Sequence, residues 1–335
     1  MKNLYLITLL FLTTISQAQI VTIPDVNFKN ALVNTPCVDT TGDGEGDADA
    51  DTNDDGEIQV SEAESVLFLS LIDQSISSLE GIKSFTNIEY LNVWFNQLSS
   101  LDVTKNTMLK DLNCVWNSIS DLDVTQNPML EELRSAVTQI SNIDLSQNPN
   151  LRILDLSFCP LQGLDVTQNP NLELLGVFGS QLTSLDVTQN PNLQFLSAPI
   201  NQLTSLDVTQ NPNLVTLFCY DNQLTSLDLS QNTNLERLIC YNNQLSSLDI
   251  KNGNNHNMMR MWAYDNPNLE CIQVDDETAT YPVCDEINYL GWCKDDWTSY
   301  SEDCSLATQD FNQISFTLYP NPTQNILNID SQEPI

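Results

Sequence analysis

The chain has 335 residues, with 45 acidic against 11 basic side chains and a formal net charge of −34. Such a balance makes nucleic acid and anionic membrane surfaces poor partners. A hydrophobic content of 41% excludes a disordered chain, and the acidity suits solubility outside the cell and cation binding. Residues 1–18 read as a secretory signal. Lys2 gives the positive start, Leu4 to Leu12 an apolar run, and Ser16, Gln17 and Ala18 a small-x-small cleavage site. The run is too short to cross a hydrocarbon core of about 30 Å. No other stretch is expected to span a membrane, so the mature protein is expected to be exported.

Residues 19–65 are expected to form an N-terminal cap. Pro24 and Asp25 suit a helix start, and Phe28, Ala31 and Leu32 would share the face of a short helix over 24–34. Residues 39–62 are acidic and glycine-bearing. Within them, 51–62 fit the frame of the EF-hand calcium loop, which this segment resembles. The frame places side-chain oxygens at Asp51, Asn53, Asp55 and Glu62, a backbone carbonyl at Glu57 and a water-mediated contact at Gln59. Gly56 allows the sharp turn and Ile58 fills the apolar position. One calcium ion is the expected cofactor. A second, weaker loop starts at Asp39, with Asp43 and Asp47 in register. The bland alternative for the whole stretch is a solvated acidic linker.

From residue 66 a repeat takes over. The residue opening each "LDVT"-like segment recurs at Leu101, Leu122, Ile143, Leu164, Leu185, Leu206, Leu227 and Leu248, always 21 residues apart. In one repeat, Leu214, Leu217, Cys219, Leu224, Leu227 and Leu229 point inward. Six apolar residues in 21 cannot form a core alone, so each coil needs neighbours. Leu217 and Cys219 alternate with Thr216, Phe218 and Tyr220, which predicts a strand with one buried face. Stacked strands make a parallel sheet with about 4.8 Å per coil, and ten coils make a rod roughly 45–50 Å long. With a fixed period and the frame Leu214, Leu217, Cys219, Asn222, Leu224, residues 66–268 resemble the leucine-rich-repeat family. The resemblance implies a solenoid of about ten coils, numbered here zero to nine, with a parallel sheet on the concave face and a non-covalent binding function. The 21-residue length leaves no room for a long convex helix.

Two columns repeat within this frame. Asn96, Asn117, Asn201, Asn222, Asn243 and Asn266 are expected to satisfy backbone groups where the chain leaves the strand. Gln74, Thr138, Cys159 and Ser180 replace them elsewhere, which predicts looser packing in coils three to five. The second column runs from Asp102 through Asp123, Asp144, Asp165, Asp186, Asp207 and Asp228 to Asp249. Each carboxylate is expected to cap its own Thr-Gln-Asn turn; a row of bound cations is the rival. Coil nine is lengthened by two residues at 251–256, and Met258, Met261 and Ala263 replace the usual core types.

Residues 269–304 form a cysteine-rich cap with little core of its own. Four cysteines allow three pairings, and the nested one is favoured: Cys271–Cys304 enclosing Cys284–Cys293. Zinc is the rival reading. Cys114, Cys219 and Cys240 are expected to be buried thiols, and Cys37 has no evident partner. Residues 305–314 are a polar linker. Residues 315–335 place two alternating segments around Pro320, Asn321 and Pro322. This "YPNP" turn and the strand after it resemble the start of the C-terminal sorting domain of type IX secretion substrates. The resemblance implies a truncated sorting signal and the type IX export machinery as a partner.

No catalytic constellation is found. The lone histidine, His256, lies on a loop insertion, and there is no G-x-S-x-G, phosphate loop or H-E-x-x-H. The outward strand positions carry the functional expectation instead. Trp94, Phe178, Phe218, Tyr220, Arg237, Tyr241, Arg260, Trp262 and Tyr264 face the concave side, with aromatics and arginine gathering toward coils seven to nine. Exposed aromatic patches of this kind mark protein or sugar binding. The expected function is recognition of a protein or glycan at the cell surface or in the medium. Its alternatives are a passive spacer, or the non-catalytic module of a longer polysaccharide-degrading protein.

Overall fold

The computed structural model describes residues 19–285, 287–288 and 290–306, with the backbone of 317–320 and 327–330. Residues 1–18, expected to be a secretory signal, most of the 305–314 linker and residues 321–326 of the expected sorting segment lie outside the described residues. Each coil contributes one three-residue strand to the main sheet, from Phe68–Ser70 in coil zero to Arg260–Trp262 in coil nine. The strands pair in parallel, in coil order, and in constant register. Leu69 faces Leu91, Leu91 faces Leu112, and the column continues through Leu217 and Leu238 to Met261. All of these central residues are fully buried. Short strands suffice because a strand this long places only one side chain inward, and the next inward residue follows just beyond it.

The core is one continuous column, as stacking requires. The Asn column does what its spacing predicts. Asn222 Nδ2 donates to the carbonyls of Ala198 in the preceding coil and Cys219 in its own, at 3.0 and 3.1 Å, while its Oδ1 accepts from Leu203 N at 3.0 Å. The expected loosening of coils three to five is not observed. Thr138 and Cys159 donate to the carbonyl of Ser135, and Ser180 to that of Leu156. A hydroxyl or thiol thus keeps the donor half of the amide's role, and Leu133, Leu154 and Leu175 stay fully buried.

A second asparagine column holds the opposite side. Asn106, Asn127, Asn148, Asn169, Asn190, Asn211 and Asn232, six of them from the Thr/Ser-Gln-Asn turn, are fully buried. Asn190 Nδ2 donates to Val166 O and Asn169 O of the preceding coil, each at 2.9 Å. The stretch expected only to turn the chain therefore also ties each coil to the one before. The aspartates of the neighbouring column cap their own turns. Each accepts the N–H two residues on at 2.9–3.2 Å, and five also accept the threonine hydroxyl at 2.6–2.7 Å.

The ends are closed differently. At the front, helix Val26–Asn34 buries Phe28, Ala31 and Leu32 against coil zero. Asp25 caps it, one carboxylate oxygen accepting from Asn27 N and Phe28 N and the other from Ser77 and Ser78. Burial works against that carboxylate's charge, but these bonds prevail and hold its pKa down at about 2. At the back, the cap adds an eleventh strand, Gly291–Cys293, to the main sheet. The disulfides are Cys271–Cys304 and Cys284–Cys293. The cap also has more core than its composition suggests. Trp292 faces Met261, stacks on Tyr281 at 3.9 Å, meets Tyr300 edge-on, and donates its indole N–H to Met258 O. A smaller parallel sheet joins Ser226–Asp228, Ser247–Asp249, Cys271–Gln273 and Ser299–Ser301. Beyond the cap, the strands Thr317–Pro320 and Leu327–Asp330 pair antiparallel. Among the described residues no helix is long and apolar enough to cross a membrane.

Candidate binding surface

Parallel strands in register put equivalent side chains one strand spacing apart, about 4.8 Å. That is also a good distance for stacked rings. Just past the strand, the outward column carries Phe178, Pro199, Tyr220, Tyr241 and Tyr264 in coils five to nine. Tyr220 and Tyr241 stack at 4.7 Å, and Tyr241 and Tyr264 at 4.8 Å with planes 4° apart. Phe178 meets Tyr220 edge-on at 6.3 Å across Pro199. The three tyrosines are partly exposed. Burial, then the neighbouring Tyr220, pushes the Tyr241 hydroxyl up to about 12, so it stays a neutral donor and acceptor.

The other expected residues divide. Phe218 packs edge-on against Phe195, and Arg237 is exposed. Arg260 places its guanidinium 5.5 Å from the Trp262 ring centre, a cation–π distance. Trp262 itself is not an open surface. Only 6% of it is exposed, because it closes with Ile239 and Cys293 into a small second cluster beneath the tyrosines. The eleventh strand, which brings Cys293 beside Trp262, lies outside the repeat pattern, and it covers this ring. Trp94 lies at the opposite end, on coil one, and is 42% exposed.

Between these ends the concave face is charged. Arg134 bridges Glu132 at 2.6 Å and Asp111 at 3.4 Å. Burial, with Glu132 adding to it, lifts Asp111 to about 7.

The loop at 51–62, expected to hold calcium, has the expected backbone but a different set of side-chain contacts. Gly56 takes φ 78°, and Asp51 accepts from Asp55 N and Gly56 N. Both Asp55 oxygens and the Glu57 carbonyl converge on one atom, Gln59 Nε2, at 3.1–3.5 Å. Asn53 donates to the other end of that amide. Glu62 is turned to the helix Val60–Ala63, accepting from Gln59 N and from the Thr52 hydroxyl. Among the described residues no three acidic, histidine or cysteine side chains gather closely enough to hold a metal. The donor set is all oxygen and suits a hard cation, and Asp51 and Glu62 are buried acids. In the Asp39 loop, the Asp39 carboxylate accepts from the N–H groups of Thr41, Gly42 and Gly44, and Asp47 from Thr40.

No protein-family model matches the sequence, and no curated protein matches it. Solved structures do. The functional domain of InlJ from Listeria monocytogenes, which includes a cysteine ladder, is 28% identical with a TM-score of 0.65. The match covers 78% of this chain and 58% of that one, so it spans under two thirds of that domain. An internalin, inlF, from the same organism is 20% identical with a TM-score of 0.53, over 78% of this chain and 87% of that one. The fold is a leucine-rich-repeat solenoid. It resembles the bacterial internalins, and the second of these likenesses speaks for the fold alone.

Sequence reasoning missed one column of this solenoid. The residue before each Asn-column position adopts left-handed backbone, with φ between 51° and 62° at Asp73, Phe95, Trp116, Val137, Phe158, Gly179, Ile200, Asp221, Asn242 and Asp265. Left-handed backbone favours glycine, asparagine and aspartate and penalises β-branched and bulky residues. The available signal was a periodic one. Coils zero, five, seven, eight and nine obey that preference, while coils one to four and coil six do not.

Proposed function

We propose that this is an exported, non-enzymatic binding protein that holds a protein partner on the concave face of coils seven to nine. The stacked ladder Tyr220, Tyr241 and Tyr264 carries the proposal. It is partly exposed, lies above a closed cluster that fixes its rings, and stands beside the exposed Arg237. Rigid aromatic rings beside arginine are the side chains most enriched where binding energy concentrates. The likeness to InlJ supports a binding role over catalysis. A glycan stacked on the same rings is the second reading, and a spacer with no partner is the third. Comparing partner capture by the wild type and by Tyr220→Ala/Tyr241→Ala separates a binder from a spacer. Equal capture by both removes the ladder from the account.

Export rests on the leader at 1–18 and on the two disulfides, which form in oxidising compartments. Type IX export machinery would read the segment around Pro320, Asn321 and Pro322. Calcium is proposed for the 51–62 loop. It would replace the Gln59 amide where Asp55 and Glu57 converge and would draw Glu62 from its helix cap. Cys219 and Cys240, at equivalent inward positions of adjacent coils, are the counterpart here of a cysteine ladder, and their proposed role is packing. Burial pushes Cys219 up to about 12, so it is not a nucleophile.

A further inference from the structure

The left-handed column divides by chemistry. At coils zero, seven, eight and nine it holds Asp73, Asp221, Asn242 and Asp265, which tolerate that backbone. At coils one to six it holds Phe95, Trp116, Val137, Phe158, Gly179 and Ile200. Four of the five bulky residues there are about half exposed, from 47% to 55%. The fold leaves these side chains about half exposed, with Phe95, Trp116 and Phe158 touching rings of this same surface, and it holds them in a backbone region that penalises them. Strain retained at an exposed surface points to a role beyond folding.

The surroundings of this ridge define the ligand. On one side lie Trp94, Val115, Ala136, Ser157, Phe178 and Pro199. On the other lie Gln97, Ser118, Gln139, Pro160, Gln181 and Gln202. Across these three columns and six coils there are eighteen positions and no charged residue. At the chain's 17% charged content about three would be expected. A groove of about 380 Å³ runs along the panel over coils one to three. Phe95, Trp116 and Val137 line one part of it, Gln97, Ser118 and Gln139 another, and the single carboxylate of Asp73 sits at its end. Phe95 and Trp116 have ring centres 6.0 Å apart.

We propose that this panel binds a neutral, linear polysaccharide lying along the solenoid axis. The rings offer apolar faces to the C–H faces of sugar rings, and the amides offer donors and acceptors to the hydroxyls. In coils one to three an apolar ridge residue stands two places before a polar one, as Phe95 and Gln97, Trp116 and Ser118, and Val137 and Gln139, so this part of the site repeats at one coil spacing and suits a periodic ligand. The absence of charge within a −34 chain fits a ligand without charge. An anionic polymer would meet no cation here and would be repelled by the rest of the molecule. The panel adjoins the tyrosine ladder at Phe178 and Pro199, but the groove over coils one to three shares no residue with the ladder, so either proposal can fail alone.

The test uses the full chain with six-unit gluco-, manno- and xylo-oligosaccharides, with a six-unit galacturonate as the anionic control. Binding is read by calorimetry and by tryptophan fluorescence. At least one neutral hexamer should bind, its dimer at least tenfold more weakly, and the galacturonate not at all. Phe95→Asn/Trp116→Asn should lose at least tenfold in affinity while melting at the same or a higher temperature, because asparagine suits the left-handed backbone. Gln97→Ala/Gln139→Ala, which leaves that backbone untouched, should also weaken binding. The proposal is overturned if no neutral hexamer binds, if the galacturonate binds equally, or if both variants bind like the wild type. It is also overturned if sedimentation shows a dimer that Phe95→Asn/Trp116→Asn breaks, since a second copy would then cover the panel.

Discussion

Asn190 and Asp186 lie four residues apart in one turn and should behave very differently. Asn190 is fully buried and donates two hydrogen bonds to the preceding coil. At about 0.5–1.5 kcal/mol each, plus the space left behind, Asn190→Ala should cost about 2 kcal/mol. Asp186 is exposed and bonds only its own turn, so Asp186→Ala should cost less than about 1 kcal/mol. Denaturant melts of the two variants check the difference, and equal losses would refute the buried ladder. Asp111 gives a pH signature. Burial first, then Glu132, raises it to about 7, above its unfolded value. The folded state then holds a proton that the unfolded chain releases. The associated stability is complete below about pH 4 and is lost as pH rises through 7. Asp111→Asn should therefore flatten the stability profile between pH 4 and 8 and melt above the wild type at pH 8. A variant that melts lower at pH 8 would mean the contact with Arg134 outweighs burial.

Among the elements, the strands are the most legible in the sequence. A period of 21 and an alternation of two leave only one register that buries Leu217 and Cys219 together. The turns are less so. The asparagine before each proline reads from the sequence as a bend, yet it is the most buried polar group of the coil, because one periodic sequence can be both hinge and rung. The left-handed column is hidden for a related reason: hydrophobic pattern says nothing about φ. At the C-terminal cap, the nested disulfides are legible but the strand at Gly291–Cys293 is not. A glycine and a tryptophan outside the repeat carry no period, and so the repeat alone places Trp262 on an open face that this strand closes. The N-terminal cap yields a prediction of its own. Adding millimolar calcium should raise its melting transition, since a ligand that binds only the folded state stabilises it by mass action. Glu62→Ala should abolish the response. An identical transition in chelator and in calcium would dismiss the site. Within the coils, the thiols of Cys219 and Cys240 are fully buried, so neither should react with a thiol reagent until the solenoid unfolds. Rapid labelling of either in the native protein would contradict the inward register.

At the scale of the whole molecule, each coil touches mainly its two neighbours, so stability is a sum of repeats and interfaces. The ends matter most, and both are closed by elements outside the repeat. The sequence makes this architecture plain because a fixed period admits few folds. It cannot show which outward residues stay open, since that depends on the cap strand and on rings from neighbouring coils. The central claim is that the tyrosine ladder is a binding surface and not only cross-strand packing. The direct measurement is partner capture by equal amounts of folded wild type and Tyr220→Ala/Tyr241→Ala/Tyr264→Ala, with melting curves for both. Each stacked pair contributes about 0.2–1 kcal/mol to the sheet, while truncating a binding hot spot costs about 2 kcal/mol or more, roughly thirtyfold in affinity. The account predicts that the triple variant loses capture by at least that factor and melts only slightly earlier. A variant that melts much earlier yet captures as well per folded molecule would contradict it.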